Sequence, residues 1–340
     1  MHRLSHHQVV SPLLTQSARP LLQARRCLQP ATLRSSPRVS ISHQSTCLTT
    51  QSHRVFATQS TPTPSSTRTT YLGQPPKGML TVTQLEQAAA TEEIDTVVVG
   101  FTNLYGQLLG KRFDTDFYLS SCHKDGTHAC DYLLANDIEQ NPTPGYKTIN
   151  YENGYGDVHL VPDTDSLRLA TWQDSTAMVV CDIYDNKTHQ LHPMAPRSIL
   201  RKQIDKASAM GFACMAASEL EYYQYETDFR TAHKANWQQS LIQPVSTYME
   251  DYHLQTTATE EKYTAVFRHH LKHSGIPVEN SKGEAGLGQH ELNISYSDIL
   301  QMSDRHAVYK QALKEMAQQL GISLTFMAKP FTVSYWRNTH

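Results

Sequence analysis

The sequence predicts an α+β protein of about two domains, a small sheet-rich unit followed by a region in which helices and strands alternate. Length and composition set the scale, since 340 residues with 39% hydrophobic side chains can build two modest cores. Short strand-like runs recur up to about residue 190, and three helix-length segments then interleave with further strands. The boundaries expected are a disordered leader over 1–85, an N-terminal domain over 92–190 and a catalytic-type region over 195–340.

The leader carries nine Arg or Lys and no acidic residue before Glu86. It is rich in Ser, Thr and Gln and holds no apolar run long enough to cross a bilayer. That composition suits a mitochondrial transit peptide delivering the protein to the matrix, with Arg54-Val-Phe56-Ala57 resembling a processing site. A disordered tail without a targeting role, on a cytoplasmic protein, has the same composition. The formal charge of −2 therefore hides an acidic body. Taking nine from 30 basic residues leaves 21 against 32 acidic ones, a net of about −11 over the last 255 residues. Such a surface argues against nucleic acid as a partner, and no membrane partner is expected. Six scattered cysteines show neither a CxxC pair nor zinc-finger spacing, so neither a disulfide framework nor structural zinc is indicated.

Ile94-DTVVVGFTN and Leu108-LGKRF read as two strands around the turn Tyr105-Gly106-Gln107. Gly106 to Lys111 is not a P-loop, because the spacing is too short and Arg112 replaces the hydroxyl residue. Further strands are expected at His159-LVP, Leu167-RLATW and Ala177-MVVCDIY. Pro196 precedes a helix from Ser198 that Gly211 closes. A second helix runs from Glu260 to Gly275, followed by a strand from Ile276, and a third from Ser303 to Gly321. His269, His270 and His273 on the second helix admit a metal reading, but a solvated helix end opposing the dipole explains them better.

The residues that carry chemistry are Glu219, Glu221, Glu284 and Glu291. Phe212 to Glu226 reads as one strand, on which Glu219 and Glu221 share a face. Two like charges at adjacent same-face positions repel unless a cation sits between them. Glu284 and Glu291 flank a glycine-bearing loop, and four oxygen donors suit a hard ion such as Mg²⁺ or Mn²⁺. A solvated strand edge beside a surface loop is the plain alternative that spacing alone leaves open.

The surrounding motifs decide between them. "ASELEYYQY" at Ala217–Tyr225, "GIPVENSKGEAGLGQHELNISY" at Gly275–Tyr296 and "LTFMAKP" at Leu324–Pro330 resemble, in order, three motifs of the glutamine synthetase family. "YGDVHLVPDTDSLRLATWQDSTAMVVCDIYD" at Tyr155–Asp185 is similar to the end of that family's N-terminal domain. The likeness covers about residues 93–330 and is strongest to the bacterial-type, γ-glutamyl-polyamine synthetase-like branch. The resemblance implies a β-grasp-like N-terminal domain and a glutamine-synthetase-type α/β catalytic domain. It implies ATP as co-substrate, Mg²⁺ or Mn²⁺ as cofactor, and glutamate plus ammonia or a larger amine as substrates joined through a γ-glutamyl phosphate. By the same resemblance Glu221, Glu284 and Glu291 hold one cation, Glu219 contributes to a second, and the full-length family form is a homo-oligomer.

Two departures shape the expectation. The region from Gly126-THACDYLLANDIE lacks the DGSS-type element of ammonium-using members, which favours a larger amine. After "FMAKP" the chain reads Phe331-TVSYWRNTH where the family continues into His-x-His and Arg-bearing segments. The catalytic domain is thus expected to be incomplete and this short form impaired, or else an inactive subunit with a structural or regulatory role.

Overall fold

The computed structural model describes residues 75–330. The transit-peptide reading and the processing site fall on residues outside that range. Residues 75–85 of the expected leader belong to the fold, because helix α1 (Val82–Ala90) begins there and Leu85 is fully buried. A reciprocal cap starts α1, Gln84 N–H donating to Thr81 Oγ1 at 3.2 Å and Thr81 N–H to Gln84 Oε1 at 2.8 Å.

Six strands build the N-terminal sheet: β1 (Thr96–Thr102), β2 (Leu108–Asp114), β3 (Thr127–Cys130), β4 (Asp157–Pro162), β5 (Arg168–Leu169) and β6 (Thr176–Asp185). The order is β2-β1-β6-β4-β3, with β5 added to β6. Only the β1–β6 pair is parallel. Strand alternation makes β6 the wall between two cores. Its Ala177, Val179, Cys181 and Ile183 pack with Val97, Val99 and Leu85. Met178 and Val180 face the other way, into a core built by the second half of the chain.

That half opens with α2 (Pro196–Ala209), whose first position holds proline, where its fixed φ suits a helix start. Strand β7 (Met215–Ala216) follows, then β8 (Glu221–Tyr225), α3 (Glu261–His273), β9 (Val278–Gly283), β10 (Gln289–Ile294), β11 (Ser297–Asp298), α4 (Ile299–Gln319) and β12 (Ser323–Thr325). The order β12-β8-β10-β9 is antiparallel throughout. Helices alternating with strands suit an α/β sheet, but every pair in this sheet is antiparallel, which makes it an α+β layer. Helix α4 covers it through Met302, Tyr309, Leu313 and Met316, one apolar stripe at helical spacing.

Two elements differ from expectation in ways that matter for the site. Phe212 to Glu226 is not one strand, because β7 pairs with β11 while β8 pairs with β10 and β12. Glu219 therefore lies in the break before β8. Helix α4 starts four residues before Ser303, because the Asp298 carboxylate caps it by accepting from Gln301 N–H at 3.0 Å.

Arg197 on α2 joins the two halves. Its buried guanidinium reaches Asp163 at 2.6 Å, Asp182 at 2.5 Å and Asp304 at 2.9 Å. Among the described residues no helix is long and apolar enough to cross a membrane.

Candidate active site: a carboxylate pocket

Sheet register assembles the site. The β8–β10 ladder sets Glu221 opposite Glu291, and the β9–β10 ladder sets Lys282 opposite Glu291. Facing residues of adjacent strands project to the same side, so two carboxylates and an ammonium share one face. Glu284 follows β9 at a turn held by Glu284 N–H donating to the Gln289 carbonyl at 2.8 Å. Within it the Gln289 side chain accepts from Gly286 N–H at 2.9 Å and donates to Glu221 Oε2 at 2.6 Å. The turn and the first strand's carboxylate are thereby locked together.

The four sequence-identified glutamates interact as one group. The Glu219 carboxyl is held above its ordinary pKa, first by the charge of Glu291 and a hydrogen bond with it, with Glu221 and Glu284 adding to the repulsion. Glu291 is only 3% exposed, and burial pushes its carboxyl up. Hydrogen bonds from Lys282 and other neighbours outweigh that and bring it below the usual range. Lys282 lies 3.1 Å from Glu291 and bonds Glu284 as well. Burial opposes its charge, yet those two carboxylates hold the ammonium well above its usual pKa. Glu219, Glu284, Glu291 and Lys282 line a cavity of about 630 Å³; Glu221 is not among its lining residues and is bonded by Gln289 instead.

Sequence reasoning missed Lys282, which the β9–β10 ladder sets opposite Glu291. It also missed a buried cluster of Glu250, Glu260 and His290. Burial alone would lower the His290 pKa, but hydrogen bonds to Glu250 and Glu260 carry it up to about 9. Nothing in the spacing of residues 250, 260 and 290 announces that contact. The histidines of α3 are held by neighbours, His270 Nδ1 lying 3.0 Å from Thr171 Oγ1 and His273 Nε2 lying 2.6 Å from Lys77 Nζ.

The donor set fits a hard divalent cation. Glu219, Glu284 and Glu291 share the cavity with a single ammonium, and the charge of Glu291 with a hydrogen bond to it raises the Glu219 carboxyl. The fold is thus α+β, with an acidic pocket whose oxygen donors suit a divalent cation. Residues 193–339 match the family model of the glutamine synthetase catalytic domain, and the chain is a glutamine-synthetase-like member of that ligase family. It is 38% identical over 256 residues to gamma-glutamylethanolamide synthetase GlnA4 of Streptomyces coelicolor, covering 75% of this chain and 54% of that one. Glutamate–isopropylamine ligase of a Pseudomonas species is 32% identical over 237 residues, covering 70% and 51%. The chain spans about half the length of the curated relatives it matches. The solved structure of apo GmaS without ligand has the same fold at 22% identity, with TM-score 0.61 over 74% of this chain and 54% of that one.

Proposed function

We propose that the protein is an ATP-dependent ligase that joins the γ-carboxylate of glutamate to an amine larger than ammonium. The observation that carries this reading is one cavity lined by Glu219, Glu284 and Glu291, with Glu221 set opposite Glu291 across the β8–β10 ladder. The named activities of the two relatives, on ethanolamine and isopropylamine, supply the substrate class. A γ-carboxylate oxygen of glutamate attacks the terminal phosphorus of ATP, and ADP leaves. The amine nitrogen then attacks the acyl-phosphate carbon, inorganic phosphate departs, and the nitrogen loses a proton.

Mg²⁺ or Mn²⁺ held by Glu221, Glu284 and Glu291, with Glu219 at a second position, would neutralise charge on the transferred phosphoryl group. The residues around them have their own tasks. Gln289 orients the Glu221 carboxylate, and the β10 backbone fixes Glu291. Lys282 keeps Glu284 and Glu291 drawn together. The N-terminal sheet takes the place of the family's β-grasp-like unit, and the acid-free leader supports import into the mitochondrial matrix.

The test is phosphate release by the purified protein with ATP, glutamate and a panel of ammonium, ethanolamine, isopropylamine and putrescine. Release that requires both glutamate and one of the larger amines, and that Glu291→Gln removes, is the expected result. Release indifferent to glutamate and amine, or unchanged in Glu291→Gln, overturns the reading.

A further inference from the structure

The second cluster of ligating side chains lies behind the pocket. Glu250 is 0%, Glu260 1% and His290 2% exposed. His290 follows Gln289 and precedes Glu291 on β10, so alternation turns its ring to the opposite side, where it stacks on Tyr222 with centroids 6.1 Å apart. Its Nε2 lies 3.1 Å from Glu250 Oε2 and 3.1 Å from Glu260 Oε2.

Hydrogen bonding does not satisfy this arrangement. One ring nitrogen carries at most one hydrogen. That hydrogen serves Glu260, leaving Glu250 Oε2 buried without a donor, and Glu260 Oε1 has none either. The Ser246 hydroxyl nearby gives its hydrogen to the Tyr248 carbonyl at 2.5 Å. Glu250 Oε1 is the satisfied oxygen, accepting from Gly288 N–H at 2.9 Å. The competing occupant is a single proton shared between Glu250 and Glu260, since burial and Glu250 both raise the Glu260 carboxyl.

A cation would satisfy both Glu250 Oε2 and Glu260 Oε1. Tetrahedral bonds of about 2.0–2.1 Å set neighbouring donor atoms roughly 3.3 Å apart, close to the spacing about Nε2. A neutral imidazole and two carboxylates around a divalent ion carry no net charge. Mixed nitrogen and oxygen donors suit zinc better than magnesium. We propose that Glu250, Glu260 and His290 form a structural site for a divalent transition ion, Zn²⁺ in the first place, separate from the four-glutamate pocket. The ion would clamp the Glu250 loop to β10 directly behind Glu291, with the Gly288 amide fixing the far oxygen of Glu250. The site stands whether or not the protein is a ligase.

Cobalt is the probe, because tetrahedral Co²⁺ with a nitrogen donor gives intense visible bands and an all-oxygen octahedral site gives weak ones. Apo protein titrated with Co²⁺ is expected to develop the intense bands at about one equivalent, and Zn²⁺ is expected to displace it. Glu291→Gln keeps the bands, while Glu260→Gln and His290→Gln weaken binding at least about 100-fold. Glu260→Gln also mimics a carboxyl that shares a proton with Glu250. If the cluster holds a proton instead of an ion, that variant is as stable as wild type and wild type shows no intense bands. That result overturns the proposal, as do intense bands that Glu291→Gln abolishes and Glu260→Gln leaves intact.

Discussion

Glu221 and Glu291 face each other in direct register across the β8–β10 ladder, a like-charged pair on the inner strands of an antiparallel sheet. Directly opposed like charges destabilise a sheet by about 0.2–1 kcal/mol. The Gln289 amide bonds Glu221 and the Lys282 ammonium bonds Glu291, so each charge is partly offset from its own side. Glu221→Gln removes the repulsion and keeps the volume. It is expected to raise the denaturation midpoint of metal-free protein and to weaken Mn²⁺ binding at least tenfold, about 1.4 kcal/mol. Denaturant titrations with and without Mn²⁺ read both. A variant less stable than wild type yet equal in Mn²⁺ affinity would refute the assignment.

Lys282 supplies the only positive side chain bonded to Glu284 and Glu291 among the described contacts. Lys282→Met keeps the aliphatic stem and removes the ammonium, leaving two poorly solvated carboxylates uncompensated. The metal-free protein should lose about 1.5–3 kcal/mol, the range for hydrogen bonds to charged groups. Saturating Mn²⁺ should recover much of that loss, because the ion replaces the missing charge. Calorimetry on metal-free and Mn²⁺-loaded protein checks the pattern. An equal loss in both states would mean that Lys282 acts through packing alone.

How much of this could be read from the chain depended on the range of each interaction. Glu219 and Glu221, or Glu284 and Glu291, sit in short motifs whose local geometry brings them close, so spacing and resemblance found them. The helices were legible where proline and glycine punctuate them, as Pro196 and Gly211 do, while the Asp298 cap that starts α4 before Ser303 was not read. The split of Phe212–Glu226 was not legible, because its cause is the choice of different partners for β7 and β8. Glu250 and Glu260 lie on irregular backbone with no period, and an acidic residue in a polar stretch reads as solvated. Only the fold buries them against His290.

Gly288 is a backbone test of the same turn. It has φ +70°, a region that L side chains rarely adopt, and an added Cβ would lie 2.5 Å from the Gln224 carbonyl oxygen. Gly288→Ala is expected to destabilise the protein by about 1–3 kcal/mol and to loosen Gln289 from Glu221. Hydrogen exchange at Gly286 and Gly288 amides should speed up more than in β6. Uniform acceleration across both sheets would instead show global loss of stability without a local change in the turn.

The import proposed for the leader can be measured directly. Isolated mitochondria incubated with radiolabelled full chain should take it up in a potential-dependent manner and cleave it near Phe56. Replacing Arg25, Arg26 and Arg34 with glutamate should block uptake, since import of such segments depends on their positive, acid-free character. Uptake unaffected by that charge reversal, or a protein that stays outside the organelle uncleaved, would remove the matrix assignment.

Acid should separate the two halves before it unfolds either core. Arg197 is 7% exposed and binds Asp163, Asp182 and Asp304, so the N-terminal sheet and helices α2 and α4 meet at one buried guanidinium. Burial pushes the Asp163 carboxyl up, but the charge and hydrogen bonds of Arg197, with help from Arg201, hold it below the ordinary value of 3.8. A depressed carboxyl stabilises the fold at pH above its unfolded pKa and loses that contribution as pH falls through its folded one. Stability should therefore be flat from neutral pH down to about 5 as far as this network is concerned, and fall below about pH 4. Arg197→Met leaves three carboxylates without their central partner and should cost about 3–5 kcal/mol at neutral pH. In that variant the carboxylates repel, so acidification from pH 6 to 4 should restore stability where it leaves wild type unchanged or weaker. Urea denaturation of both proteins across that range decides the matter, and parallel pH profiles would show that the network does not hold the halves together.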